Sequence, residues 1–550
     1  MIETICDIGK IVRETDGEID LVDLWQKDES GDYQLILDVN ISDDSVSIDS
    51  RDFEKQVFRD GLLYSQGNWF VGAVLKKESL KDSKIKDCLK FIEVPLERFD
   101  EVKSRIDSSL KDYEGVNFVI LFWKNGQKPI DIVKNKFLRE IEKNGLKKEN
   151  LSGNCQICNE YTDTLYDSIV YKCYTNDKEI FSNTDGLSYG VCKDCIFDIL
   201  YGRKHVNMFL STWWGGSDIL FLPHTYSEQV KEIFEFSKIG DLREGKNLLK
   251  QIRENECEVI NEIGKCGTDI DIIFYSAQKS EWKITYHIKD VMPSRFSKIA
   301  ELEHKYQSKS GENLALWQVL TYLLGDSSKP SEIFNTNEAK NFLKNIFHGN
   351  KINRNLFFSR SMSKYKHDYF DGYGSMFMLH RTYNFLVECG CLDKGWSFVE
   401  QTGRGYSMVK YEDLEKFFDF NKEFFDSNIK KAWFLLGRLY GKMIQESKSY
   451  KGGEDKQNNE SYLEKNFFFG RKYDFKTFVY FSNQCSELMY KYGVQNKVYL
   501  KDLISTSKEF MGIGDDKLSS DEAKYIFFWG MQQWIGKSKD NNNNNDGADQ

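Results

Sequence analysis

The sequence predicts an α+β fold divided among several domains. Three observations predict it. Strand-like apolar runs alternate with helical spacing over residues 1–150, two C-x-x-C pairs follow at 155–158 and 192–195, and apolar residues recur at helical intervals beyond about residue 408. At 550 residues, 40% hydrophobic and 15% aromatic, the chain is long enough for roughly three or four domains with sizeable cores.

The elements follow in order. Residues 33–39 (YQLILDV) and 117–123 (NFVILFW) read as strands, and the spacing of Phe99, Val102, Ile106 and Leu110 places a helix between them over 97–113. A turn, Lys124-Asn125-Gly126-Gln127, follows the second strand, and a basic helix over 131–146 ends this N-terminal α+β domain, residues 1–150. Residues 151–225 hold the cysteine pairs, then an apolar turn closed by Gly202 and a strand-like run at 219–222. Residues 226–405 mix both types: a hairpin of 270–275 with 282–288, then Pro293 breaking the pattern, then helical segments at 314–324 and 338–347. Residues 406–538 read as a helical bundle, with helices over 425–443, 475–490 and 521–535, the last capped by Ser519 or Ser520. The Asn-rich tail, 539–550, has the composition of a disordered segment.

The cysteine spacing is the most specific signal. Cys155 and Cys158 can place two thiolates on one tetrahedral ion, and Cys192 with Cys195 completes a Cys₄ shell. A closed shell leaves no position for a catalytic water, so it predicts a structural Zn²⁺ in a zinc-finger module rather than an active site. A redox dithiol is the alternative, but the surroundings carry no thioredoxin-like pattern. A fifth cysteine, Cys173, lies between the pairs as a substitute ligand.

The formal charge is −10, which weighs against a uniformly basic nucleic-acid binder. Residues 340–367 nevertheless contain no Asp or Glu, and carry Lys340, Lys344, Lys351, Arg354, Arg360, Lys364 and Lys366 among Phe347, Phe357, Phe358 and Tyr365, with Tyr369 and Phe370 just beyond. Cations that track a phosphate backbone and rings that stack on bases make this a nucleic-acid-binding candidate; a solvated helix face over core aromatics is the plain alternative. Residues 530–538 (GMQQWIGKS) imitate a phosphate loop but have one residue too many between the glycines and no preceding strand. His367-Asp368 lacks the further ligands of a metal-dependent hydrolase, and Asp269 with Asp271 marks a strand start more readily than a Mg²⁺ site. No complete catalytic set is present, no apolar run is long enough to span a membrane, and the start lacks a secretory pattern. Twelve cysteines in that context predict a reducing, cytoplasmic setting.

Three ordered passages resemble a known family: Cys155-Gln156-Ile157-Cys158 through Val191-Cys192-Lys193-Asp194-Cys195, Leu200-Tyr201-Gly202 and Phe221-Leu222-Pro223; then Ile272-Ile273-Phe274-Tyr275 with Trp282-Lys283-Ile284 and Val291-Met292-Pro293-Ser294-Arg295; then Phe434-Leu435-Leu436-Gly437-Arg438-Leu439-Tyr440-Gly441-Lys442, echoed by Tyr525-Ile526-Phe527-Phe528-Trp529-Gly530-Met531. Over residues 150–536 the chain resembles the large subunit of type I-B CRISPR effector complexes (Cascade). The resemblance implies a non-catalytic protein that works with crRNA, the backbone subunits and the small subunit. It implies recognition of the protospacer-adjacent motif on double-stranded target DNA, help in opening the strands, and recruitment of a separate helicase-nuclease, with no role for a membrane. Guide pairing reads the sequence in such a complex, so the protein need read only a short motif.

On this reading Cys155, Cys158, Cys192 and Cys195 hold zinc, and Lys351, Arg354, Arg360, Lys364 and Lys366 contact nucleic acid. Lys124, Gln127 and Lys128 are motif-reading candidates on a turn that can reach groove edges. The helical C-terminal part resembles the small subunit, and Met408 is a candidate internal start for a separate product. The rival reading is a zinc-ribbon nuclease whose Asp269, Asp271 and Asp368 hold Mg²⁺.

Overall fold

The computed structural model describes residues 1–16, 20–25, 32–66, 69–144, 148–149, 152–167, 190–235, 248–252, 255–278, 281–306, 314–324, 330–370, 376–394, 399–402, 405–408, 414–450, 468–491, 493–513 and 518–532. It is an α+β protein, as the sequence predicts.

The chain opens with a helix that periodicity alone did not single out, α1 (Ile2–Asp16), which buries Ile2, Ile5, Ile8 and Val12 on one stripe. The first sheet follows, built from β1 (Leu35–Ile41), β2 (Val46–Asp52), β3 (Val74–Lys76) and β4 (Phe118–Lys124) in the order β2-β1-β4-β3. β1 and β4 run parallel at its centre, so their connection must cross over; it does so through α2 (Asp82–Phe91) and α3 (Phe99–Leu110). Central strands are covered on both faces, and β4 is buried at each of its first five positions. A small second core of Ile36, Val57, Phe58, Val74, Val119 and Leu121 fills the face turned away from the main one. β4 ends in the Asn125-Gly126 turn, where both residues have positive φ (51° and 74°), the geometry that Asn-Gly favours in tight hairpin turns. α4 (Pro129–Asn144) then leads to the cysteine region.

Beyond the second cysteine pair runs α5 (Lys193–His205), and then a four-stranded antiparallel meander: β5 (Ser211–Trp214), β6 (Ser217–Pro223), β7 (Ile270–Gln278) and β8 (Glu281–Val291). Among the described residues, the β6–β7 connection carries the α-helices α6 (Glu228–Glu235) and α7 (Glu256–Ile263). Pro293 stops β8 and opens α8 (Pro293–Lys305), where its missing N–H is no loss. α9 (Leu316–Leu324) and α10 (Asn337–His348) follow; Thr336 caps α10 by accepting from the Ala339 N–H, and Gly349 ends it in the left-handed region.

Two further helices, α11 (Arg354–Phe370) and α12 (Met376–Glu388), precede a short hairpin of Val399–Thr402 with Gly405–Met408. From residue 414 on, the described residues are helical: α13 (Asn428–Tyr450), α14 (Phe475–Lys491), α15 (Val498–Ile513) and α16 (Ser520–Gln532) are the long members. Ser519 caps α16 through the Glu522 N–H at 3.2 Å. Residues 539–550 lie outside the described part.

A buried carboxyl pair joins α7 to α8 beneath the meander. Glu256 Oε2 accepts from the Trp214 indole at 2.8 Å, and both Glu256 and Glu303 accept from the Leu316 N–H. Glu303 Oε2 meets no donor, and burial together with the Glu256 charge pushes the Glu303 pKa well up. Glu303 therefore keeps its proton to higher pH than a free glutamate does. A free glutamate releases its proton near about 4.3, so between that pH and the raised folded value the wild type loses stability at about 1.4 kcal/mol per pH unit. Glu303→Gln keeps a hydrogen-bond donor without the ionisation. Its urea midpoint is expected to match the wild type near pH 4 and to exceed it increasingly as pH rises toward the folded-state value.

Candidate metal centre and basic surfaces

The two cysteine pairs converge. Short strands Gly153–Asn154 and Tyr161–Thr162 form a knuckle around the first pair. Within it, the Cys155 N–H donates to Glu160 O (2.8 Å) and the Asn159 N–H to Cys155 O (2.9 Å), with Asn159 in the left-handed region at φ 61°. The second pair sits where a strand meets a helix: Cys192 is the N-cap of α5 and Cys195 lies in its first turn. The Gln156 N–H donates to Gly190 O at 3.0 Å and ties the halves together.

All four Sγ atoms lie within 4.8 Å of one another, and Cys158 Sγ stands 3.8 Å from Cys192 Sγ. Four thiolates at about 2.3 Å from one ion in a tetrahedron are about 3.8 Å apart, so the spacing fits a bound dication. Cys155 and Cys195 are buried, whereas Cys158 faces solvent. Burial raises the Cys155 pKa, but N–H donors from Cys192, Cys158 and Ile157 outweigh it and bring it down to about 7. Burial pushes Cys192 up to about 11 and Cys195 higher still. Four close thiolates repel one another; a dication at their centre removes that penalty, and the N-terminus of α5 favours negative charge at Cys192 and Cys195. The cluster can thus hold a metal ion, and no fifth ligand is needed; Cys173 lies outside the described residues.

The centre is backed by α1. Cys6 donates its thiol to Cys195 O at 3.7 Å, and burial pushes Cys6 up to about 12, which keeps it a neutral thiol beside the cluster. α1 and α5 cross at two glycines: a Cβ on Gly9 would stand 1.7 Å from Asp198 O, and one on Gly202 would stand 1.9 Å from Ile5 O. Arg13 pairs with Asp198 at 3.0 Å across the same crossing. The start of the chain is therefore part of the wall of the metal module, a contact across nearly two hundred residues that no local pattern announces.

The acid-free segment is divided by the fold. Lys340 is buried over the Phe274 ring. On α11, Arg354 reaches inward, paired with Glu522 of α16 at 2.7 Å and set over the rings of Phe358 and Phe424. Lys364 is buried and paired with Asp368 at 2.7 Å. Lys344, Lys351, Arg360 and Lys366 remain on the outside, Lys351 beside Asp393 (2.5 Å) and Arg360 beside Glu338 (2.9 Å). Phe347, Phe357, Phe358 and Tyr365 are core: Phe358 packs on Tyr525 and Tyr365 on Phe528, which ties α11 to α16.

On the N-terminal turn, Gln127 is exposed, Lys124 donates to Glu93 O at 3.0 Å, and Lys128 pairs with Asp60 at 2.7 Å. Asp269, Asp271 and Asp368 are not gathered into one ligand set among the described residues. Asp271 instead accepts from His224 (2.8 Å) and His287 (2.7 Å); burial raises its pKa, but these bonds hold its carboxyl well below the usual range.

A surface that the sequence reading passed over lies on α14. Its outward stripe carries Phe475, Lys476, Val479, Tyr480, Asn483, Glu487, Tyr490 and Lys491, at the three- and four-residue steps of one helix face, with Lys472 just before its first turn. Phe475 is 58% exposed and Tyr490 73%, and Arg471 stacks over Tyr480 at 4.5 Å. Asn483 accepts from Lys508 of α15 at 3.5 Å, which extends the face toward exposed Val498, Tyr499 and Lys501. The signal was available as rings interleaved with lysines, but the same rings also satisfy a helical core pattern.

Fold and site define a multidomain α+β protein stapled at its middle by a tetrathiolate centre. Residues 152–291 match the central domain of CRISPR-associated protein TM1802 (cas_TM1802), and residues 316–542 match that family's C-terminal domain. Between them the matches cover more than half of the chain, which belongs to the CRISPR-associated TM1802 family. No curated protein matches the chain. Among the described residues, no helix is long and apolar enough to cross a membrane.

Proposed function

We propose that this protein is the non-catalytic large subunit of a type I-B CRISPR surveillance ribonucleoprotein, with zinc at Cys155, Cys158, Cys192 and Cys195. Its work is to recognise the protospacer-adjacent motif, hold target DNA while the guide pairs, and present that DNA to a separate helicase-nuclease. Family membership supports the setting, and the observation that carries the nucleic-acid role is the α14 face. Solvent-exposed rings among lysines, with Asp474 turned back to cap the helix through the Thr477 N–H, suit a single strand, whose bases stack on rings while phosphates meet cations. Arg360 and Lys366 on α11, with Lys351 just before it, form a second, more polar contact for backbone phosphates, whereas Arg354 ties α11 to α16 and Lys364 is paired within α11 to Asp368. Gln127, on its tight turn, is the motif-reading candidate with a side-chain amide free to face a groove, flanked by Lys124 and Lys128.

The test uses the assembled guide-loaded complex. Lys472→Glu, Lys476→Glu and Lys491→Glu together are expected to weaken binding of the displaced strand by roughly a hundredfold or more at moderate salt. The slope of log affinity against log salt should fall by about 2, since each lost contact to a single strand contributes about 0.7. The matching Lys351→Glu, Arg360→Glu and Lys366→Glu variant should reduce duplex binding with a slope change of about 3. Unchanged affinity and slope in both variants would sink the reading. Mg²⁺-dependent cutting by the purified chain, lost on replacing Asp271, would favour the nuclease.

A further inference from the structure

A second cluster of ligating side chains stands on the end of the meander, away from the thiolates. His224 follows directly on β6, Asp271 is the second residue of β7, and Asp290 is the penultimate residue of β8. Strand pairing is irregular at this point: Ile270 faces Val291, but Ile272 faces Ile288, so β8 carries one extra residue in a bulge. The bulge turns Asp290 into the left-handed region at φ 55°, which an ordinary strand position would not allow. Its N–H donates to Asp271 Oδ1 at 2.9 Å, and its carboxylate is brought to 3.6 Å from His224 Nε2.

We infer that His224, Asp271 and Asp290 form a binding site for a divalent transition-metal ion. One ligand atom from each lies within 4.8 Å of the others, and His224 Nε2 is 2.8 Å from Asp271 Oδ1. Ligands at about 2.1 Å from a shared ion stand about 3.0–3.4 Å apart in octahedral or tetrahedral geometry, and His224 Nε2 lies 2.8 Å from Asp271 Oδ1 and 3.6 Å from Asp290 Oδ1, so small side-chain shifts close the set. The donor set is one imidazole nitrogen and two carboxylate oxygens, which suits Zn²⁺, Co²⁺, Ni²⁺ or Mn²⁺ and does not suit Mg²⁺ with its demand for oxygen alone. On binding, His224 Nε2 gives up its hydrogen bond to Asp271 and offers its lone pair; the ring proton resides on Nδ1. His287 supplies the outer support that such sites use, holding Asp271 Oδ2 at 2.7 Å and fixing the carboxylate's orientation. His224 and Asp290 are solvent-facing, at 40% and 69% side-chain exposure, so the ion has an open approach and water completes its shell.

The experiment titrates the full-length chain, stripped by chelator, with Co²⁺. Wild type is expected to take up two equivalents. One gives the intense near-ultraviolet charge-transfer band of cobalt–thiolate, and the other gives only the weak visible bands of a nitrogen–oxygen site. His224→Ala, and separately Asp290→Asn, which tolerates the left-handed backbone, are expected to take up one equivalent with the thiolate band intact. Both positions are exposed, and unchanged circular dichroism confirms that each variant is folded. Uptake of the nitrogen–oxygen equivalent without any thiolate band would sustain this site while removing the Cys₄ centre. A single, thiolate-only equivalent in wild type overturns the inference. So do two equivalents retained in both variants, or a second equivalent bound only at millimolar cobalt, which would mark an adventitious ion only.

Discussion

Chelation of the metal from the Cys155, Cys158, Cys192 and Cys195 centre is expected to unfold the knuckle and the first turns of α5, and to release α1 from its seat. Peptides that fold only around structural zinc gain about 10–16 kcal/mol from the ion. Here a hydrophobic core also supports α5, so the expected loss is several kcal/mol rather than the whole of that figure. The mechanism is electrostatic as much as covalent. Cys155 is 1% exposed, and its sulfur accepts N–H groups from Ile157 (3.5 Å) and Cys192 (3.3 Å). Once the ion leaves, these donors still favour a thiolate at Cys155, while burial and neighbouring charge disfavour one at Cys195. The fixed tetrahedron is then replaced by four sulfurs that have no common partner. The loss should spread to α1, because Cys195 O is the acceptor for Cys6 and the Gly9–Gly202 crossing holds only while α5 keeps its position. Thermal denaturation should show a first transition moved well down by chelator and restored by Zn²⁺, with α1 and residues 190–205 opening together in hydrogen exchange. The helical bundle should melt unchanged. Cys155→Ser should reproduce the effect, and exposed Cys158→Ser should do so more weakly. A chelated protein with wild-type melting and unaltered protection of α1 would remove the structural-metal reading.

What the sequence disclosed, and what it hid, follows from the range of each interaction. The strands β1, β4, β6, β7 and β8 and the helices α13, α14 and α16 were legible because their apolar periodicity is local. The cysteine spacing was legible because a C-x-x-C knuckle closes within a few residues. α11 was read as a helix only in the plain alternative, a solvated face over core aromatics, and the reason is specific. Its inward stripe is Phe357, Phe358, Ser361, Met362, Lys364 and Tyr365, and a buried serine and an ion-paired lysine interrupt the apolar pattern. The same segment misled about chemistry: absence of acids in sequence did not mean absence of acids in space, since Glu338 and Asp368 at its edges and Asp393 and Glu522 from farther along the chain meet its cations. The exposed rings of α14 illustrate the opposite limit. Periodicity reports that Phe475, Val479 and Tyr480 are helical and apolar, but only packing shows that they point outward. The His224, Asp271 and Asp290 cluster could not be foreseen either, because it needs a bulge in β8 to turn Asp290 toward residues that are distant in the chain.

Gly437→Val is expected to be the most damaging single substitution in the helical bundle. α13 and α16 cross so closely that no side chain fits between their backbones. A Cβ on Gly437 would stand 2.0 Å from Phe527 O, one on Gly441 would stand 2.2 Å from Met531 O, and one on Gly530 would stand 2.1 Å from Phe434 O. Each obstructing atom is a backbone oxygen of a helix, which cannot swing aside as a side chain can. Glycine within a helix costs about 1 kcal/mol relative to alanine, and three of them gathered at one crossing are tolerable only because the close approach buries so much around them. Trp433, Phe527 and Trp529 are almost fully buried beside the crossing, and Tyr525 links it to Phe358 of α11. Valine at 437 forces the helices apart by more than an ångström and opens that core along its length, so the cost should exceed the about 1–3 kcal/mol typical of overpacking. The Arg354–Glu522 ion pair would separate as well, leaving a charge without its partner in a half-buried position. Gly512, in α15, is the control: an added Cβ there meets nothing within 4 Å, so Gly512→Ala should be neutral or slightly stabilising. The measurement is urea unfolding of the full chain followed by tryptophan fluorescence, paired with single-strand binding at the α14 face. A Gly437→Val protein with the wild-type midpoint and undiminished binding would mean that the two helices do not meet in this way, and the bundle's architecture would have to be redrawn.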